Sequence, residues 1–256
     1  MNAMTDRQHV ELFHLLFLVQ LGQKLDKKRF ALKGGCNLRF FLRSPRYSED
    51  MDLDVRMEPV DMLREKVSGI LKSTPFRQIL QTRGIEIEHF TESKQTDTTQ
   101  RWKLGLLVPG IELPLPTKVE FSRRGFDESA LFESVDRDLV QRYALPPLMT
   151  NHYPATTACR QKIEALVSRS VTQARDVFDL HLLLASGADM AAVHQMEAVM
   201  REDAQAKAMS ITFDQFKGQV LAYLAPEWQA QYGSAEVWDG LVLGVVEALG
   251  GGHETR

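Results

Sequence analysis

The 256-residue chain has two cysteines, Cys36 and Cys159, far apart and without disulfide or metal-ligand spacing, as befits a reducing compartment. Its seven histidines form no HExxH or CxxC-linked cluster, so no common zinc site is encoded. No run approaches the roughly 18 apolar residues of a membrane span, and the first residues lack a basic stretch, apolar run and cleavage site. The expectation is a cytoplasmic protein without a membrane partner. A net charge of −3 argues against a general nucleic-acid coat, so any RNA contact must be a local patch. GxxxxGK[ST] and HRD-like runs are absent, which removes P-loop and kinase chemistry. What remains is ordinary soluble composition, 44% apolar and 25% charged, without repeats or low complexity.

The informative stretch is residues 32–55, LKGGCNLRFFLRSPRYSEDMDLDV. A short apolar run reaches Gly34-Gly35, an amphipathic segment follows, and three aspartates close it at alternate positions, Asp50, Asp52 and Asp54. In an extended strand these carboxylates share one face while Met51, Leu53 and Val55 point to the core. Neighbouring carboxylates about 6 to 7 Å apart repel by roughly 2 to 3 kcal/mol at an effective dielectric of 20. A divalent cation would remove that cost, and carboxylate oxygens plus substrate phosphates suit Mg²⁺, or Mn²⁺. Gly-Gly ahead of a helix suits close backbone approach to a phosphate. Alone, each pattern is more often a plain turn or a solvated strand end; their order and spacing make them informative.

Apolar spacing predicts a helix over 6–25, a strand over 30–33, a short helix over 37–42, the acidic strand over 50–56, and a helix from Pro59 to near Pro75. Strands are expected at 85–90 and 102–108 around a polar loop or hairpin end at 91–100. In a further strand within 114–124, alternation sets Lys118, Glu120 and Ser122 on one face and Val119 and Phe121 on the other. The turn-rich 146–154 marks a boundary, giving domains 1–150 and 151–256. Beyond it the pattern is helical, over 155–168, 172–185, 189–208, 213–224 and 235–249. Residues 1–3 carry no fold argument, and the 250–252 end should fray. The fold class expected is α/β (α+β), a mixed sheet flanked by helices with an all-helical C-terminal domain. In that domain Lys162 and Arg169 lie seven apart on one helix, and Asp176 and Asp179 three apart on the next, which by itself also describes a surface ion-pair network.

The block KGGCNLRFFLRSPRYSEDMDLDV resembles the AbiEii/AbiGii toxin family of the nucleotidyltransferase superfamily, in which a KGGTxLRxFxxxxRFSEDLDFDV-like run recurs. A second block, ACRQKIEALVSRSVTQARDVFDLHLLL, is similar to the same family. Cys36 stands where the family usually has Thr or Ser. The resemblance implies a nucleotidyltransferase fold and transfer of a nucleoside monophosphate from a nucleoside triphosphate to a hydroxyl acceptor. It implies metal-binding catalytic carboxylates at Asp50, Asp52 and Glu120, and nucleotide contacts from Gly34, Gly35, Cys36, Ser48, Lys118, Lys162 and Arg175. Asp54 would stand behind the metal carboxylates, and Asp176 and Asp179 would orient the cations of the helical block. Arg46, before the acidic strand, would join Ser48 at the phosphate or hold the loop. The expected partners are a nucleoside triphosphate, a tRNA 3′ end or other RNA acceptor, and a cognate antitoxin. Arg39, Arg43, Arg46, Arg123 and Arg124 could rim a cleft for RNA. A small-molecule or protein acceptor, and a binding module with a decayed site, stay open as alternatives.

Overall fold

The computed structural model describes residues 4–251; the segment 1–3 and Gly252 of the expected frayed end lie outside them. The chain divides into two compact units. One runs to Tyr153 without the segment Leu42–Arg46, and the other comprises that segment and the chain from Pro154 on.

The first unit opens with α1 (Asp6–Lys24), which starts where it does because Thr5 and Gln8 form a reciprocal capping box. Its predicted stripe of Val10, Phe13, Phe17 and Leu21 is buried, joined by Leu12, Leu15 and Leu16. A single 3-10 turn, Lys27–Arg29, leads to β1 (Phe30–Lys33), α2 (Gly34–Phe41) and β2 (Met51–Val55). Then come α3 (Val60–Lys72), α4 (Thr74–Gln81), β3 (Glu86–Gln95), β4 (Thr99–Leu107), β5 (Leu115–Ser122), β6 (Leu131–Ser134), α5 (Arg137–Arg142) and β7 (Met149–His152). The sheet is seven-stranded and mixed, in the order β3-β4-β5-β2-β1-β7-β6. β2 lies near its centre, antiparallel to β1 and parallel to β5. Met51, Leu53, Val119 and Phe121 are fully buried beneath the centre of this sheet, so the opposite face of β2 and β5 is left to polar residues.

Local expectations shift in several places. Helix α2 begins at Gly34 rather than 37, bringing both glycines into its first turn. The acidic strand begins at Met51, leaving Asp50 in the bend before it. Of the loop or hairpin end expected at 91–100 the structure has the second, β3 and β4 pairing through it as far as Gln95 and Gln100. β3 is an edge strand whose residues are largely exposed, so it tolerates a polar sequence. The helix from Pro59 stops at Lys72, since the Ser73 side chain accepts from the Phe76 amide and starts α4. The proline-rich 146–154 includes β7, and β6 and α5 are also additions to the expected elements.

The second unit is helical: α6 (Ala155–Ser168), α7 (Ala174–Ala185), α8 (Met190–His194), α9 (Ala198–Met209), α10 (Phe213–Gln219), α11 (Pro226–Tyr232) and α12 (Ala235–Gly250). The helix expected over 189–208 is two, with Asp189 accepting from the Ala191 and Ala192 amides to start α8. Phe216 and Trp238 stack at 4.4 Å between centroids in the core of this unit. Among the described residues no helix is long and apolar enough to cross a membrane.

Candidate functional site

Register assembles the site. Lys33 faces Asp52 across β1 and β2, and Asp52 faces Glu120 across β2 and β5. Pleating places Asp52, Lys118 and Glu120 on the polar face, and Asp50 joins from the preceding bend. Lys118 Nζ lies 3.3 Å from Asp50 Oδ2, 3.8 Å from Asp52 Oδ1 and 3.8 Å from Glu120 Oε2. One ammonium thus stands among three partly exposed carboxylates. Arg101 of β4, opposite Glu120 in register, donates from Nε to Glu120 Oε2.

The electrostatics follow from that crowding. Burial raises the Asp50 carboxyl above its ordinary range, with Lys118 opposing and Asp52 adding to the rise. Burial alone would raise Glu120 too, but the Arg101 hydrogen bond and the charges of Lys118 and Arg101 outweigh it, and its pKa is lowered. Burial would lower Lys118, yet Asp52, Asp50 and Glu120 together raise it. Gly34 borders the set with φ +65°, and a Cβ there would lie 3.1 Å from Asp52 Oδ2. Only glycine combines that backbone with such proximity.

Asp54 is turned away from this opening. It is buried, paired with Lys33 Nζ and accepting from the Tyr153 hydroxyl at 2.9 Å. Cys36 and Ser48, expected at the phosphates, both reach the main chain of Asp50, whose carbonyl accepts from Cys36 Sγ at 3.2 Å and Ser48 Oγ at 2.8 Å. Cys36 is fully buried, and burial pushes its thiol pKa well up. It therefore holds the Asp50 bend and is out of reach of a nucleotide. The next carbonyl back, Glu49 O, accepts from Thr117 Oγ1 at 2.7 Å, and Thr117 Oγ1 is 2.9 Å from His14 Nε2. With the Thr117 proton so used, His14 donates from Nε2. Burial lowers the His14 pKa to about 3, so it stays neutral. Sequence reasoning missed His14, Thr117, Arg101, Lys33 and Tyr153. Alternation could have placed Arg101 on a polar strand face; the rest depend on register and on α1.

In the helical unit Lys162 is buried, 3.1 Å from Asp176 Oδ1 and 2.7 Å from Asp179 Oδ2. Arg46, of the segment belonging to this unit, takes Asp179 bidentately, at 3.2 Å from Nε to Oδ1 and 2.9 Å from Nη2 to Oδ2. Arg169 Nε stands 2.8 Å from Asp176 Oδ2, out of line for a hydrogen bond, so that contact is coulombic. Burial would raise Asp179, but Arg46 and Lys162 outweigh it and its pKa is lowered. This geometry makes Lys162 an internal counter-ion instead of the phosphate ligand expected, and Arg46, expected at the phosphate or holding the loop, a second one. Arg175 is half-exposed on α7. The expected arginine rim also disperses. Arg39 pairs with Glu11 and covers the Tyr47 ring, Arg123 bonds Gln100 and the Glu58 carbonyl, and Arg124 bonds Thr99. Arg43 is exposed.

The site is thus a carboxylate face around one cation, next to a glycine the backbone requires. The sequence profile of the AbiEii nucleotidyl transferase toxins of type IV toxin–antitoxin systems matches residues 16–236. The chain belongs to the AbiEii family. It is a nucleotidyltransferase, and membership implies a nucleotide substrate and an antitoxin partner. No curated protein matches the sequence. Among solved structures, MenT4, a nucleotidyltransferase toxin from Mycobacterium tuberculosis, is similar in fold at TM-score 0.64 and 16% identity, covering 96% of this chain and 84% of MenT4. JHP933 from Helicobacter pylori is similar at TM-score 0.60 and 17% identity, covering 96% of this chain and 95% of that one.

Proposed function

We propose that this AbiEii protein moves a nucleoside monophosphate from a nucleoside triphosphate to the terminal hydroxyl of an RNA, a tRNA 3′ end being the expected acceptor. The carrying observation is the Asp50, Asp52 and Glu120 set gathered around Lys118 beside Gly34. The donor set fits Mg²⁺ or Mn²⁺: all oxygen, one charge in excess of the local cations, and partly open to solvent. Among the described residues no three His, Cys, Asp or Glu side chains already converge as a metal cluster. Lys118 fills the space between the carboxylates and is the stand-in cation. Asp50, Asp52 and Glu120 would hold the ion, which when bound neutralises triphosphate charge.

The chain's own groups do the rest. Lys118, released from the carboxylates, is within reach of a triphosphate oxygen and returns its charge to the phosphates. Gly34 and Gly35 leave the first turn of α2 open to backbone approach. Cys36, Ser48 and Thr117 fix the main chain at Asp50 and Glu49, so the carboxylate is pre-oriented. The acceptor hydroxyl gives its proton to solvent, and its oxygen forms a bond to the α-phosphorus as the bond to pyrophosphate breaks.

Incubating the protein with each labelled nucleoside triphosphate, Mg²⁺ or Mn²⁺, and total RNA tests the reading. Label should enter RNA, tRNA above all, with wild type and not with Asp52→Asn. Label entering only small molecules or protein would replace RNA as the acceptor. Inducing the gene alone should arrest growth, and Asp50→Ala should lift the arrest.

A further inference from the structure

Past Asp52 and Asp54, β2 leads to Arg56, whose amide donates to the Arg29 carbonyl at 2.9 Å and extends the ladder by one residue. The Arg56 guanidinium lies over the Phe126 ring at 4.2 Å and pairs with Glu128. Its Nε donates to the Lys28 carbonyl at 3.3 Å. Across the same cavity, Lys27 Nζ stands 5.5 Å from the centre of the Phe132 ring, which is 49% exposed on edge strand β6. The cavity holds about 610 Å³. It adjoins the catalytic face: Phe126 meets Tyr153 edge-on at 6.3 Å, and the Tyr153 hydroxyl holds Asp54. Four residues of extended chain separate Arg56 from Asp52, about 13 Å.

Phe126 and Phe132, each with a cation over its ring, supply the two elements of single-stranded nucleic-acid recognition, in which bases stack on aromatics and phosphates pair with Lys and Arg. Three cations, Lys27, Lys28 and Arg56, line the cavity against two carboxylates, Asp26 and Glu128. That leaves a local positive excess in a chain of net charge −3. A duplex keeps its base faces stacked and would leave both rings unused. We propose that this cavity binds an unpaired nucleotide stretch of the acceptor RNA, with bases on Phe126 and Phe132 and phosphates on Lys27, Lys28 and Arg56. The RNA end then runs along the β2 face to Asp52. The inference rests on RNA being the acceptor. Glu128 opposes it, because its carboxylate occupies Arg56 until a phosphate takes its place.

Anisotropy of a labelled eight-nucleotide single-stranded RNA tests it in the full chain. Phe126→Ala and Phe132→Ala should each weaken binding about ten-fold, the usual loss of one stacked base. Arg56→Ala should lower the logarithmic salt slope by about one unit. Glu128→Gln should tighten binding several-fold, a gain that misfolding cannot imitate. Nucleoside triphosphate affinity should be unchanged in all four cavity variants. Unchanged RNA affinity across the cavity variants, or equal competition by a duplex or a free mononucleotide, would overturn the proposal. Loss of RNA binding in the variants of a protein that labels no RNA would uphold the cavity and sink the acceptor reading instead.

Discussion

The sheet face around Lys118 and the helical cluster around Lys162 are made of the same residue types and do opposite things. The first sets three carboxylates, Asp50, Asp52 and Glu120, against two cations, Lys118 and Arg101, with the Asp50 and Asp52 side chains 30% and 36% exposed. The second sets two carboxylates, Asp176 and Asp179, against three cations, Arg46, Lys162 and Arg169, and both carboxylates are fully buried. An open cluster with an excess of negative charge can answer to a further cation. A closed, saturated one cannot, and its ions serve the fold. Exposure and charge balance thus separate sites that residue identity alone leaves equal.

That contrast is most sharply broken by mutation at the two aspartates of opposite kind. Asp52→Ala should cost at least a hundred-fold in transfer, since an ion site worth several kcal/mol of charge stabilisation is lost. It should change stability by no more than about 0.5 kcal/mol, because a third of the side chain is in water and its one cation stays paired. Asp179→Ala should do the reverse, costing roughly 3 to 5 kcal/mol by leaving Arg46 and Lys162 buried and uncompensated. Urea unfolding beside single-turnover assays reads both. Equal stability losses would mean that the sheet cluster is also structural.

Acid should discriminate the clusters in the same way. Asp179 has a lowered folded pKa, so its stabilisation is complete above the ordinary carboxylate range and is lost as pH falls through the lowered value. Glu120 has the same sign. Asp50, raised by burial, has the opposite one and favours the folded state when protonated. Urea midpoints measured from pH 6 downward should therefore fall in wild type, and the fall should be shallower in Asp179→Asn.

How much of this was legible follows from which signals are local. The Gly-Gly and alternating-Asp block could be read because pleat and helix start are properties of adjacent residues, and β1 and α6 were placed to the residue for the same reason. The Arg46 to Asp179 pair spans 133 positions, so no spacing rule could announce it. Lys162 looked like a ligand because a buried counter-ion and an exposed phosphate ligand are the same letter in sequence. Cys36 looked like a lost phosphate contact, although its backbone partner, Asp50, is visible only once α2 is folded against the bend.

The Lys118 ammonium should compete with a metal ion for the three carboxylates. Without nucleotide, Mg²⁺ should raise the wild-type Tm little. Lys118→Ala removes the competitor and leaves the repulsion, so Mg²⁺ should raise its Tm by a few degrees through linkage, while triphosphate affinity falls. An Mg²⁺ response identical to that of wild type would place Lys118 outside the ion's space.

The smallest effect belongs to Cys36, the departure from the family's usual Thr or Ser. Its Sγ and Ser48 Oγ share one acceptor, the Asp50 carbonyl, at 3.2 and 2.8 Å. A net hydrogen bond contributes about 1 kcal/mol, and a thiol is the weaker donor. With one donor removed, the other still satisfies the carbonyl, so Cys36→Ala and Ser48→Ala should each slow transfer by only a few-fold. With both removed, the carbonyl is orphaned and the bend that aims Asp50 is loosened, so the double variant should lose more than the product of the two single losses. The coupling energy of that cycle should lie near 1 kcal/mol. Restoring a hydroxyl with Cys36→Thr in the Ser48→Ala background should recover most of the rate, because the hydroxyl can donate to the same carbonyl. Strict additivity in kcat would show that the two donors do not share the work of fixing Asp50.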